Sequence, residues 1–377
     1  MKLDFWEAVA TVVGTIIGAG IFGIPYVVAK AGFLTGAIVI FVLGFVVLML
    51  YLYLGEIVLR TKGKHQLTGY CEKYLGKWGK RVMFFSMIFG IYGALIAYLI
   101  GEGAALSTIF GGQPTIYSLI FFVVASTLLY FGLEALEKSE LVSVFIVLII
   151  VATIIIFTAP HVNTQNLIAF DITKFFVPFG VVLFAYLGLI AVPEANEILE
   201  KDKGRMKKVL FIGVVIPIIV YFIFTLVVVG SIGLDRFEML GENQRMATIA
   251  LGEVIGTKLF IFANIFAIFA MFTSFIAIGY ALKEMFMYDY NLSKTTSWAL
   301  TCFVPLVIAL SGFTNFIQAI NISGVVAGGI DAILILLMFH KAKHVGDRKP
   351  EYSLKENKLF SVFIGILFIA GAVFVLL

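Results

Sequence analysis

The chain is poor in charge: 13% of its 377 residues are Asp, Glu, Lys or Arg, against 61% apolar side chains and a mean hydropathy of +1.07. Water-soluble domains carry about 25% charged residues, so a soluble globular protein is excluded. Cysteine is nearly absent. Cys71 lies in a predicted loop and Cys302 in an apolar run, which leaves neither a disulfide framework nor a thiolate metal cluster. The four histidines, His65, His161, His340 and His344, all fall in predicted loops, so no imidazole chemistry is expected inside the apolar runs. There is no H-E-x-x-H and no G-x-S-x-G, so a polytopic intramembrane enzyme finds no catalytic set. A repeated filter or ring of charge, as a channel would carry, is also missing. The start, Met1-Lys2-Leu3-Asp4-Phe5-Trp6-Glu7, holds acidic residues where a signal peptide holds basic ones, so no cleavable targeting segment is expected.

What the chain does have is long apolar runs. A membrane-crossing helix needs about 20 residues, and such runs fall at 5–29, 33–58, 82–107, 114–133, 141–159, 174–199, 209–230, 258–283, 297–311, 315–339 and 358–377. The expectation is an all-α integral membrane protein with eleven transmembrane helices; the run at 297–311 is short and contains Pro305. With the N-terminus placed in the cytoplasm, 22 of the 27 Lys and Arg residues fall on the cytoplasmic side, in the N-terminus and the loops near 60–81, 134–140, 200–208, 283–296 and 340–358. Lys30, Lys174, Arg236, Arg245 and Lys258 fall outside. Basic loops resist translocation, so a multi-pass protein of the cell membrane is expected, N-terminus cytoplasmic and C-terminus on the outer side. The formal net charge of +4 therefore points to no nucleic acid; the basic stretch at 201–208 faces anionic lipid instead.

The first run is interrupted. Gly14-Thr15-Ile16-Ile17-Gly18-Ala19-Gly20-Ile21-Phe22-Gly23-Ile24-Pro25 holds four glycines and a proline where a spanning helix should be regular. An unpaired backbone group in hydrocarbon costs several kcal/mol, so a broken helix survives where it lines a cavity or meets a ligand. The alternative is a glycine face for close packing, since Gly14 and Gly18 also satisfy G-x-x-x-G. Span six, Phe184-Ala185-Tyr186-Leu187-Gly188-Leu189-Ile190-Ala191-Val192-Pro193-Glu194, again carries Gly and Pro, unless Pro193 merely kinks its cytoplasmic end. A division near residue 165 gives five spans in each half, and an odd number inverts the second half. The domain reading is therefore 1–165 (helices 1 to 5) and 166–340 (helices 6 to 10) as a five plus five inverted repeat with helices one and six broken. Residues 341–377 form a cytoplasmic loop and an eleventh helix. Matching breaks in inverted halves point to a secondary transporter with a site near the midplane.

The first-span motif through Tyr26, with Ala31-Gly32-Phe33 and the loop Leu67-Thr68-Gly69-Tyr70-Cys71-Glu72-Lys73-Tyr74-Leu75-Gly76, resembles the amino acid/auxin permease family of the amino acid-polyamine-organocation superfamily. The likeness covers the whole chain in span layout and implies the leucine-transporter-type fold. In span eight, Ala270-Met271-Phe272-Thr273-Ser274-Phe275-Ile276-Ala277-Ile278 is similar to the A-x-x-T-S-x-I-A-I of sodium-coupled transporters of that fold. The resemblance implies a sodium site made by the carbonyls of Gly14, Ile17 and Ala270 and the hydroxyls of Thr273 and Ser274. The spacing agrees with that chemistry, because 270, 273 and 274 share one helical face and a hard cation wants about six oxygens. The competing reading is that both hydroxyls bond back to their own helix. Some proton-coupled relatives place a Lys in span five or a Glu just past the span-six Gly; span five here has no Lys, and Ile190 stands in the other region.

Free N–H groups around Gly18, Ala19 and Gly20 suit a carboxylate, and freed carbonyls near Phe184, Ala185 and Tyr186 suit an ammonium. Together they describe an α-amino acid, the substrate class the resemblance also implies. The side-chain lining by position is Ile16, Ala19, Tyr98, Phe184, Tyr186, Leu189 and Ile278, apolar and aromatic, although any single aromatic in a chain with 38 Phe and 15 Tyr fits a core or lipid-facing position as well. Glu102 and Asp331 are the ionisable residues placed deepest in spans, as a proton or polar path, with Glu102 near the outer end where it can reach water. The functional expectation is a sodium-coupled symporter of neutral amino acids working by alternating access, with sodium and no organic cofactor. A proton-coupled symporter or exchanger is the first rival. A non-transporting sensor on the same scaffold would carry longer cytoplasmic extensions.

Overall fold

The computed structural model describes residues 2–131, 140–254 and 256–377, and all regular structure among them is helical. The first apolar run forms α1 (Lys2–Ile16), a 3₁₀ turn (Ala19–Phe22) and α2 (Ile24–Ala31), the two arms bent by 46°. Then follow α3 (Phe33–Arg60), α4 (Leu67–Phe110), α5 (Pro114–Phe131) and α6 (Glu140–Thr158). A stretch of 3₁₀ turns leads to α7 (Phe179–Tyr186) and α8 (Ala191–Ile198), then α9 (Met206–Met239), the short α10 (Ala247–Ala250) and α11 (Thr257–Asp289). The chain ends in α12 (Lys294–Leu310), α13 (Phe316–Val345) and α14 (Lys358–Leu376). Among the described residues nine helical segments are long and apolar enough to cross a bilayer, ten with the bent first pair counted as one span. The remaining apolar run, 297–311, forms α12, whose 17 residues reach about 25 Å, short of a hydrocarbon core of about 30 Å. The expected end of span four at 132–133 and all but the last residue of the basic loop at 134–140 lie outside the described residues.

Several predicted loops turn out to be helix. α4 begins at Leu67 and bends at Gly76, whose φ of +76° only glycine adopts freely, so the loop expected over 60–81 shrinks to residues 61–66. Cys71 is thereby a buried helical residue, its thiol donating to Met338 Sδ at 3.4 Å. His340 and His344 sit in the last turns of α13, where His340 contacts Glu356 and Ser361. Lys283, counted above with a cytoplasmic loop, is buried in α11; its ammonium donates to Leu129 O at 2.7 Å, in the last turn of α5, and lies over the Tyr280 ring. Carbonyls at a helix C-terminus lack amide donors, and a lysine supplies one.

α13 packs most extensively on α4 and α7, α3 on α9, and α1 on α8 and α9. Small residues bring α4 and α13 together: a Cβ on Gly90 would lie 3.0 Å from Ala327, and one on Gly93 2.4 Å from Ser323. Ser323 Oγ donates to Gly90 O at 3.0 Å across that interface. At one end of the bundle the loop between α13 and α14 straps α3. Glu56, fully buried, takes Arg60 Nε at 2.9 Å, Lys343 Nζ at 2.6 Å, Ser353 Oγ at 3.2 Å and the Leu354 N–H at 2.6 Å. Tyr352 donates to Leu52 O at 2.6 Å, and the backbone N–H groups of Asp347 and Arg348 donate to Arg60 O.

Asp347 extends the strap to α4 through Lys73, and that bond, with one from the Lys62 N–H at 2.8 Å, holds its carboxyl below the ordinary 3.8. A depressed folded pKa gives stability that is present above the unfolded value and lost as pH falls through the folded one. Melting curves recorded between pH 5 and 3 should therefore fall less steeply for Asp347→Asn than for the natural chain; parallel curves would refute the contribution.

Candidate transport site at the two broken helices

Both breaks form where glycine removes helical preference, and both restart with a proline. α1 ends at Ile16, Gly18 adopts an extended conformation, and α2 begins at Ile24 with Pro25 in its first turn. α7 ends at Tyr186, Leu187 is extended, and α8 begins at Ala191 with Pro193 also in its first turn. The first N–H groups of a helix have no intrahelical acceptor, so proline costs nothing there. Pro193 therefore marks the restart of span six and is not a kink at its cytoplasmic end.

The two breaks pack on each other through their glycines. A Cβ on Gly20 would lie 2.7 Å from Ala185 Cα, and one on Gly188 would lie 3.2 Å from Ile16 Cγ1, 3.3 Å from the Thr15 carbonyl carbon and 2.8 Å from Tyr51 Oη. Ile16, Ala19, Ala185 and Tyr186 are all buried. The expected residues of the two spans are thus in mutual contact, 165 positions apart in the chain for Gly20 and Ala185. Ile16 turns its side chain onto Gly188.

The backbone hydrogen bonds show what the breaks leave over. Ile17 N–H closes α1 on Val13 O at 2.8 Å, but the next amide, Gly18 N–H, turns to Ile16 O at 2.9 Å and deserts Gly14 O. Ile21 N–H reaches Gly18 O at 3.4 Å, which leaves Ile17 O without its helical donor. Among the described residues the carbonyls of Gly14 and Ile17 accept nothing, and the N–H groups of Ala19 and Gly20 donate to nothing. Two neighbouring free N–H groups make an anion-facing pair, and free carbonyls suit a cation or an ammonium. Gly18 N–H, expected to be free, is engaged.

Span six differs from its expectation. The carbonyls of Phe184, Ala185 and Tyr186 already have donors: Leu187 N–H at 3.0 Å, Tyr221 Oη at 2.9 Å and Tyr51 Oη at 3.3 Å respectively. Tyr221 is also 2.6 Å from Ile16 O, and the Tyr186 hydroxyl turns away to Ile40 O at 3.1 Å. Leaving buried carbonyls unpaired is costly, and α9 and α3 supply phenols to meet them. Each carbonyl keeps a second lone pair for an ammonium. Tyr51 and Tyr221 were not among the expected site residues; nothing in their local sequence separates them from the other tyrosines of apolar helices.

Span eight brings Ser274 to the first break, its Oγ 3.9 Å from where a Gly18 Cβ would stand. Thr273 is exposed and donates back to Phe269 O at 2.9 Å and Ala270 O at 3.2 Å, the arrangement that competes with ion ligation. Ala270, Ile278 and Phe184 are half-buried, and Leu189 is buried. Gly14 is exposed where α1 passes α6, and a Cβ there would meet Val144 at 2.6 Å. Glu102 lies one turn beyond Tyr98 on α4. Contrary to the expectation that it reaches water, it is fully buried, and among the described residues neither carboxylate oxygen has a hydrogen-bond partner. Asp331 accepts from Ser86 Oγ at 2.7 Å at the α4–α13 interface, away from both breaks.

A helical membrane protein whose two interrupted spans face each other in its interior has the architecture of a secondary transporter. Its fold is similar to that of a solved structure, MhsT in complex with L-phenylalanine, with a TM-score of 0.69 over 100% of this chain and 98% of that one at 15% identity. In sequence it is similar to tyrosine-specific transport system 1 of Haemophilus influenzae, at 24% identity over 94% of this chain and 92% of the relative. Glutamine transporter 2 of Aliivibrio fischeri is 23% identical over 86% of each chain, and the low affinity tryptophan permease of Proteus vulgaris is 24% identical over 83% and 81%. Residues 1–376 match the family model of the tryptophan/tyrosine permeases, and the chain belongs to that family. It is a multi-pass amino acid transporter and not an enzyme; its family is named for tryptophan and tyrosine where the first-span motif resembled the amino acid/auxin permeases.

Proposed function

We propose that this permease is a sodium-coupled symporter of neutral amino acids, aromatic ones foremost, working by alternating access between two inverted halves, 1–165 and 166–340, with 341–377 outside the repeat. The observation that carries the sodium reading is the release of the Gly14 and Ile17 carbonyls at the first break, where Ser274 approaches Gly18. The back-bonded Thr273 is compatible with it: a hydroxyl that donates its proton to its own helix keeps its lone pairs directed outward for a cation. The free N–H pair of Ala19 and Gly20 suits the substrate carboxylate. The apolar and aromatic neighbourhood of Tyr98, Phe184, Tyr186 and Ile278 suits an uncharged side chain. Relatives named for tyrosine, tryptophan and glutamine, and a structural neighbour holding phenylalanine, support a neutral substrate. A cytoplasmic N-terminus is supported by the gathering of Lys64, Lys73, Arg205, Lys208 and Lys343 at one end of the bundle.

The test is uptake of labelled tyrosine, tryptophan, phenylalanine and glutamine into proteoliposomes, with and without an inward sodium gradient. Uptake should rise with the gradient, and Ser274→Ala with Thr273→Ala should weaken the apparent sodium affinity about 10- to 100-fold, the worth of one or two charge-assisted contacts. Equal uptake without sodium would end the sodium reading. Proton coupling is the second reading, and the fully buried Glu102, without a hydrogen-bond partner among the described residues, favours it. Currents that track pH and ignore sodium would establish it.

A further inference from the structure

Tyr221 Oη lies 2.6 Å from Ile16 O at the first break and 2.9 Å from Ala185 O at the second, and its ring is completely buried on α9. A phenol has one proton to donate, and both neighbours are acceptors only. The two contacts therefore compete for a single hydrogen. They are also unequal in what they would leave behind. Ile16 O keeps the Gly18 N–H at 2.9 Å as a second donor, whereas Ala185 O has no other donor among the described residues. The hydroxyl can release Ile16 without orphaning a buried carbonyl, but it cannot release Ala185 on the same terms.

We propose that Tyr221 is a positioning residue for transport, a shared-proton pin that stays with α7 and alternately holds and frees the C-terminal end of α1. With the proton on Ile16 O the two breaks are clasped through α9; with it wholly on Ala185 O, α1 is free to swing against α7 while no buried acceptor goes unpaired. The pin touches neither the free N–H pair of Ala19 and Gly20 nor the carbonyls of Gly14 and Ile17, and on Ala185 O it occupies one lone pair and leaves the second for an ammonium. It therefore acts on the rate at which the breaks rearrange more than on ligand affinity, and it stands whether the coupling ion is sodium or a proton.

The test compares Tyr221→Phe with the natural protein in proteoliposomes, using whichever labelled amino acid the natural protein takes up fastest, together with equilibrium binding in detergent and a melting curve. The expected result is a maximal uptake rate per folded protein reduced roughly 5- to 100-fold, the equivalent of one buried carbonyl left unpaired, with equilibrium binding held within about threefold. Thr225→Val, one turn along the same helix, removes a buried hydroxyl that has no partner among the described residues and should leave uptake as it is. If Tyr221→Phe does not fold, 3-fluorotyrosine at position 221 keeps ring and hydroxyl and alters only the strength of the donor, and the maximal rate should still change at an unchanged melting temperature. A maximal rate within twofold of the natural protein in the folded variant, or binding and rate falling together in step with stability, would overturn the proposal.

Discussion

Gly20→Val should reduce uptake to background in protein that still inserts and elutes as a single species. A Cβ at position 20 would lie 2.7 Å from Ala185 Cα and 2.8 Å from Ala185 Cβ, so the obstacle includes backbone, which cannot rotate away as the tip of a long side chain would. Relief requires the breaks of spans one and six to separate. Over-packing costs about 1–3 kcal/mol in stability, but misplacing positioned groups by about 1 Å costs around a hundredfold in rate, so the functional loss should exceed the loss of stability. Gly365→Ala, in α14 with nothing among the described residues within 4 Å of the new Cβ, serves as the matched control and should transport normally. Uptake by Gly20→Val above a tenth of the natural rate would mean that the breaks do not need this contact.

The largest effect on stability is expected at Glu56. Its carboxylate is fully buried and answers two cations, with Arg60 15% and Lys343 12% exposed, as well as the Ser353 hydroxyl and the Leu354 N–H. Glu56→Ala takes the counter-charge from both cations, which keep only neutral acceptors in Ser353 Oγ and Leu354 O, and removes the carboxylate that the Ser353 hydroxyl and the Leu354 N–H donate to. Breaking one side of a buried ion pair costs about 3–5 kcal/mol. In detergent the variant should melt several degrees below the natural protein, and limited proteolysis should cut first within 346–357, the segment that Glu56 pins. Removing all the charges together, as Glu56→Leu with Arg60→Leu and Lys343→Met, should return much of the lost stability, because the cost lies in unpaired charge and not in the absence of the pair. A single variant that melts with the natural protein would show the strap to be loosely held.

The breaks were legible in the sequence because their causes are local. Glycine lowers helical preference and proline is tolerated only in a first turn, so Gly14 to Pro25 and Gly188 to Pro193 announced an interruption before any partner was known. Apolar runs announced the helices for the same reason, although the helical start of α4 at Leu67 and the burial of Lys283 did not follow from hydropathy. The Thr273 and Ser274 pair, three and four residues past Ala270, was legible as a face of one helix. The reach of Ser274 toward Gly18 was not, since it depends on how α11 passes the first break, with the two residues 256 positions apart in the chain.

By itself the chain determined that it lives in a bilayer, that two of its spans come apart, and that these breaks carry unspent backbone groups, since each conclusion needs only neighbours along the sequence and the cost of an unpaired amide in hydrocarbon. Tertiary structure alone decided which groups stay unspent. Tyr51 and Tyr221 arrive from distant helices to take the carbonyls of Tyr186 and Ala185, while among the described residues those of Gly14 and Ile17 are left open. It also decided that Glu102 is fully buried and not at the water's edge. A hydrogen bond is short-ranged and directional, so its partner is set by the packing of helices far apart in the chain and leaves no trace in local composition.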